Sequence, residues 1–328
     1  MNKKRRRRIF LSSLIFLCMT MLSGCISNEE ELEKVQIDNG AIAIYNSNNY
    51  SIYNLNNEKY EKVETDYIIT SYDSESENFI FNENGKFKVN YLGKEKNIEE
   101  SKSVILPKLS RGGEYLSYFV RESYLSLKIK NLKEDKYIDF ESNVAISGEL
   151  IDWLNEDTLV YYGVDDNRNN GIFMYNISEN KEELLYRLDL GYVEYLKVID
   201  DGIVFVQEKE EKQRTLKFID ENGDINESID HIIDISDVEI SEDGIYILGR
   251  VENNNYSLYK YNDGSLKRLV YDFPKIINLE RGLSKDSNGN ILFVGGDDPS
   301  IEKIYKCEDG TISTLDADKG TYYFIDYN

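Results

Sequence analysis

His231 is the only histidine in the 328 residues, and that limits the chemistry open to the chain. One imidazole cannot build a multi-histidine metal site, and it argues against Ser–His or Cys–His hydrolysis. It sits in Asp230-His231-Ile232-Ile233, between two strand-like runs, where a structural or surface role is expected. Cys307 lies on an alternating stretch with no second cysteine beside it, so it reads as a plain strand thiol. Asp165-Asp166-Asn167-Arg168-Asn169-Asn170-Gly171 has the look of a calcium loop. Its third and fifth positions fit, but Gly falls at seven and position twelve is Asn176 instead of a bidentate Glu. It therefore reads as a hairpin loop. Asp220-Glu221-Asn222-Gly223-Asp224 and Asp286-Ser287-Asn288-Gly289-Asn290 are tight turns first and ion sites second, and Asp297-Asp298 beside Pro299 is a solvated loop. There is no Gly-x-Ser-x-Gly elbow and no phosphate-cradling glycine loop. Hence no catalytic residue, metal or cofactor is assigned, and the chain is expected not to be an enzyme.

The 26 tyrosines could offer stacking platforms for sugars or peptides. Many alternate with polar residues in strand-like runs, where Tyr packs well on a pleated surface, so packing is expected to account for most. Charge narrows the partners. With 39 Lys and Arg against 61 Asp and Glu, the formal net charge is −22. Such a surface repels nucleic acid and leaves basic proteins or peptides and divalent ions as partners.

Elements that would place these residues begin at the N-terminus. Lys3, Lys4 and Arg5 to Arg8 precede an apolar run from Ile9 to Leu22. That run is shorter than the ~20 residues a bilayer-spanning helix needs, so it reads as a signal-peptide core. Leu22-Ser23-Gly24-Cys25 follows. It resembles the bacterial lipobox, which implies cleavage between Gly24 and Cys25 and a diacylglyceryl group on the Cys25 sulfur. Residues 1–24 are then a lipoprotein signal peptide, and 25–39 a lipidated cysteine with a polar tether. The mature protein is expected on the extracytoplasmic face of the cell membrane, held by its lipid. Composition leans towards a Gram-positive source. Cys18 leaves with the signal peptide and Cys25 is acylated, so no internal disulfide is expected.

From residue 40 to 328 helical periodicity is almost absent. Short apolar runs recur instead: Ala41 to Tyr45, Asn78 to Phe81, Tyr115 to Phe119, Thr158 to Tyr162, Ile203 to Val206, Ile245 to Leu248 and Ile291 to Val294. A period of about 40 residues suits a four-stranded propeller blade. Turns precede several runs, as in Leu109-Ser110-Arg111-Gly112-Gly113, Trp153-Leu154-Asn155-Glu156-Asp157 and Ile240-Ser241-Glu242-Asp243-Gly244. Alternating strands follow, for example Leu125 to Ile129 and Ser257 to Tyr261.

These units resemble the TolB-type propeller repeat, with its Ser-x-Asp-Gly turn before an apolar strand. The expected fold is an all-β propeller of four-stranded antiparallel blades, seven in number with six as the alternative. The Thr321 to Tyr327 strand would close it by joining the first unit. The expected function is that of a monomeric, non-enzymatic module binding a protein or peptide at the cell envelope. The alternative is a small-ligand, glycan or Ca²⁺-dependent binding protein or enzyme using acidic groups in the central channel.

Overall fold

A computed structural model of the chain describes residues 34–328, apart from 99–102, 122, 201 and 210–212. Gly24 and Cys25 lie outside the described residues. Among those described, no helix is long and apolar enough to cross a membrane.

The described chain is built almost wholly of antiparallel strands. The first sheet contains Ile42–Asn46, Asn49–Asn56 and Lys59–Lys62, and the second Ile68–Tyr72, Phe79–Glu83, Lys86–Tyr91 and Lys94–Asn97. The third runs Val104–Leu109, Tyr115–Arg121, Leu125–Asn131 and Lys136–Ile138, and the fourth Val144–Trp153, Thr158–Asp165, Asn170–Asn176 and Lys181–Arg187. In the last sheet Ile276–Ile277 and Leu283–Lys285 both flank Ile291–Asp298, and Ile301–Glu308 and Thr311–Thr314 follow. Between the fourth and last sheets stands a seven-stranded sheet, from Tyr192–Ile199 to Ser265–Arg268.

Each recurring apolar run occupies the second strand of its unit. These strands lack polar alternation because both faces are covered by neighbouring sheets. Ile203, Val204 and Phe205 are fully buried, as are Leu159, Val160 and Tyr161, and Ile291 to Val294. Apolar clusters fill the spaces between sheets. Ala43 and Ile52 meet Phe79 and Phe81, and Phe119 meets Trp153 and Tyr161. The last such cluster sets Leu292, Val294 and Ile304 against Ile42, Ile44 and Tyr53 of the first sheet.

The seven-stranded sheet arises from a single long strand, Ile225–Ser241. Its first part pairs with Arg214–Ile219 and its second with Gly244–Val251, while Ile232 pairs with both Arg214 and Val251. His231 stands at this changeover with φ 66°, a left-handed conformation that His adopts more readily than most side chains. The strand thus ends one unit and begins the next without a loop.

One segment sits differently from the sequence reading, and the C-terminal strand joins the first unit as expected while also reaching the second. Val35 and Ile37 are buried with Ile69, Tyr72 and Phe81, so the segment read as a polar tether is packed by Val35. At the other end, Thr321–Phe324 pairs antiparallel with Ile42–Asn46, and Asp326–Tyr327 pairs in parallel with Ile68–Tyr72.

Candidate functional site

The residues singled out from sequence are not brought together. His231 is exposed and bonds Glu252 at 2.8 Å through Nδ1. Cys307 is buried among Tyr246, Leu248 and Phe293, and burial pushes its thiol up to about 11. The three acidic turns share one construction. Asp165, Asp220 and Asp286 each accept the backbone N–H four residues on, at 2.7, 3.0 and 2.8 Å. Asp165 and Asp286 also accept the Asn169 and Asn290 side-chain amides, at 2.6 and 2.9 Å. The fourth position is left-handed each time: Arg168, Gly223 and Gly289, at φ 64°, 82° and 80°. These carboxylates are occupied by local amides, as turns require.

A different set of side chains converges. A cavity of about 710 Å³ is lined by the innermost strands of successive units. Alternation along each strand places one side chain on the neighbouring sheet and the next into the cavity. Lys108, near the end of Val104–Leu109, donates to Asp152 Oδ1 at 2.8 Å. The second carboxylate oxygen of Asp152 accepts the Val198 N–H at 2.9 Å. Lys197 spends its ammonium on Asp237 at 2.9 Å, Glu239 at 3.1 Å and the Val238 carbonyl at 3.0 Å. Tyr195 donates to Asp237 at 2.9 Å, and the same carboxylate accepts Leu283 N–H at 2.8 Å. Lys285 then reaches Glu239 at 3.2 Å and Asp200 at 3.6 Å. Each contact ties one unit to the next across 40 to 46 residues of sequence, apart from the 85-residue reach of Lys285 to Asp200.

The electrostatics follow from this pairing. Burial alone would lower the Lys197 ammonium, but Asp237, Tyr195 and Glu239 outweigh it and hold the group well above the usual lysine value. Lys108 is raised in the same way, against burial, by Asp152 and Asp326. Burial raises the Tyr195 hydroxyl strongly, with Asp237 adding to the effect. Lys108 and Lys197 therefore stay charged across the physiological range.

Lys108, Asp152, Lys197 and Glu239 were missed from sequence, although a signal was there. Lys108, Asp152 and Glu239 each stand immediately before a quoted turn motif, five residues before its end. The repeat that located the turns sets the sequence spacing of these charges, but their convergence comes from the arrangement of the units.

No protein-family model matches the chain, and no curated protein matches it. Solved structures do. The β-propeller domain of the Trilobed protease from Pyrococcus furiosus, described as having an open velcro topology, aligns with a TM-score of 0.55 at 16% identity over 87% of this chain and 97% of that one. A prolyl endopeptidase aligns with a TM-score of 0.55 at 13% identity, over 76% of this chain and 41% of that one. TolB from Acinetobacter baumannii aligns with a TM-score of 0.46 at 10% identity, over 88% and 67%, and adds nothing to the fold assignment. The first two likenesses show a β-propeller fold. They also correct the expectation that the chain is not an enzyme. Chains of this fold include a prolyl endopeptidase, so neither the fold nor the missing sequence motifs separates binder from enzyme.

Proposed function

We propose that this chain is a lipid-anchored β-propeller on the extracytoplasmic face of the membrane, which docks a basic protein or peptide. The observation that carries this is where apolar side chains face water. In antiparallel four-stranded units, the loops between second and third strands share one end with the loops leading to the next unit. Ten of the fifteen exposed large apolar side chains among the described residues lie at that end, Tyr124, Leu190, Tyr192, Tyr256 and Tyr271 among them. Exposed tyrosines concentrated on one end suit a protein interface, where a ring gives contact area and a hydroxyl bonds at the rim. The net charge of −22 favours a basic partner.

Within this reading the sheets are the blades of a seven-bladed ring. Five sheets supply a blade each, and the seven-stranded sheet supplies two that share Ile225–Ser241. The pairing of Thr321–Phe324 with Ile42–Asn46 supports closure of the ring by the C-terminal strand. The lipid on Cys25 serves as the anchor, since an acidic body is repelled by anionic headgroups.

Photo-cross-linking in intact cells tests both parts. A photoreactive residue at Tyr124 should capture a protein partner, and one at Leu92, at the opposite end, should not. Equal capture from both positions, or none from Tyr124, would overturn the docking reading. Cys25→Ala should abolish incorporation of labelled fatty acid and release the chain from the membrane fraction; retention of label would overturn the anchor.

A further inference from the structure

We propose that a neutral oligosaccharide binds along a row of tyrosines on the first sheet and into the axial cavity where that row ends. The site goes beyond the docking of a basic protein and does not depend on it. Tyr45 and Tyr50 stand directly opposite each other in the first sheet. Tyr323 pairs with Ala43, two residues before Tyr45. Alternation therefore puts the three rings on one face of the sheet. Ring centroids lie 4.7 Å apart from Tyr45 to Tyr50 and 6.1 Å apart from Tyr50 to Tyr323. Tyr50 is 40% exposed and Tyr323 38%, so the rings touch one another yet stay open to water. Arg281 continues the row. Its guanidinium lies 4.4 Å from the Tyr323 ring, and the same residue lines the cavity. Glu302 holds it at 3.2 Å and also accepts the Tyr322 N–H at 2.9 Å and the Asn278 amide at 2.7 Å. Row and cavity are thus joined through one fixed side chain.

Two independent features select the ligand. The first is the row itself. A pyranose presents C–H groups on its faces, which pack on an aromatic ring while the hydroxyls stay at the edge. At the outer end of the row Asn46, Asn48 and Asn49 are exposed, uncharged amides, and Asn48 accepts the Tyr45 hydroxyl at 3.2 Å. The second is the charge balance of the cavity. Among the described residues that line it, five Lys and Arg face five Asp and Glu. Lys108 contacts Asp152, Lys197 contacts Asp237 and Glu239, and Lys285 contacts Glu239 and Asp200. A wall of paired charges favours neither a cation nor an anion. It suits hydroxyls, each of which donates and accepts and so can bond both members of a pair. The net charge of −22 further disfavours an acidic sugar. Exposed tyrosines alone would serve a peptide equally well, but a peptide does not bring a set of hydroxyls to a charge-paired wall. The cavity volume of about 710 Å³ falls within the range of small-molecule sites, so the end of the sugar chain has room there.

Titration calorimetry on the full chain, in a detergent without a sugar headgroup, tests the site with cellohexaose as probe. The wild type should bind it, and a form carboxylated at the C6 positions should bind at least tenfold more weakly. Tyr50→Ala and Tyr323→Ala should each lose at least tenfold in affinity, whereas Tyr50→Phe, which keeps the ring, should stay within threefold. Tyr124→Ala, on the third sheet and outside the row, should stay within twofold, so loss of the protein partner and loss of the sugar are read separately. A decaproline peptide serves as the competing ligand class. Absence of cellohexaose binding by the wild type, equal binding of the carboxylated form, an equal loss in Tyr124→Ala, or tighter binding of decaproline than of the sugar would each overturn the proposal.

Discussion

At the scale of single residues, Cys307 shows how burial converts a reactive group into a packing group. Its thiol is 1% exposed and is pushed by burial from 9.0 to about 11. A thiolate is the reactive form, so the folded chain holds little of it at neutral pH. The shift also sets a pH dependence. Below pH 9 both folded and unfolded chains keep the proton, and the contribution to stability is whole. As pH rises through 9 the unfolded chain releases its proton first, and the contribution is lost by about pH 11. Two pH units correspond to about 2–3 kcal/mol. The melting temperature of the wild type should therefore exceed that of Cys307→Ala by a margin that shrinks between pH 8 and 11; a constant margin would show that the thiol does not titrate in this way. The charges of the cavity were harder to read than this cysteine. A lysine or aspartate at the end of a strand, such as Lys108 or Asp152, has the sequence signature of any solvated strand end. Only the arrangement of units around one cavity turns those ends towards each other.

At the scale of elements, the clearest signals were the local ones. The turns at Asp165, Asp220 and Asp286 are set by residues within five positions of each other, so their composition predicts them. Their energetics nevertheless depend on surroundings. A Cβ on Gly223 would lie 2.2 Å from the Leu185 carbonyl oxygen, whereas one on Gly289 would meet only Ser241 Oγ, at 3.6 Å. Both glycines are left-handed, so each alanine substitution brings backbone strain of about 1 kcal/mol. Gly289→Ala should show that strain and little else. Gly223→Ala must also displace backbone and should cost about 2–3 kcal/mol or more by denaturant unfolding; equal losses would mean the close approach to Leu185 is not maintained. The continuous strand Ile225–Ser241 was not legible in the sequence. His231 and its neighbours read as a break between units because a left-handed histidine and a loop leave the same local trace. What keeps the strand continuous is pairing with partners on both sides, from Arg214 to Val251, which lie far away in sequence. Val35 and Ile37 were hidden for a related reason. Two apolar residues in an acidic stretch give no periodicity, and their burial comes from a surface formed by the second sheet.

At the scale of the whole molecule, the repeat spacing was legible because each unit buries its second strand on both faces. The role of the last ten residues depends on joining ends that are almost the whole chain apart. Thr321–Phe324 covers the edge of Ile42–Asn46 through four residue pairs. Tyr322 and Ile325 are each 3% exposed, and Tyr327 stacks on Tyr72. Burying the first two side chains is worth about 1.5–3 kcal/mol each, before counting the backbone bonds. Deleting residues 319–328 removes these terms together and leaves an inner strand edge exposed to pairing with other chains. The loss of about 5 kcal/mol or more is comparable to the net stability of many folded domains, and for a chain of this size it corresponds to a fall in melting temperature of about 10 °C or more. Calorimetry on the deletion variant should show that fall, together with concentration-dependent aggregation from the uncovered edge. A single substitution, Tyr322→Ala, should lower the melting temperature by a smaller amount and leave the chain monodisperse, because the strand edge stays covered. If the deletion melts like the wild type, the C-terminal strand does not hold the first sheet, and the proposed closure of the ring fails with it.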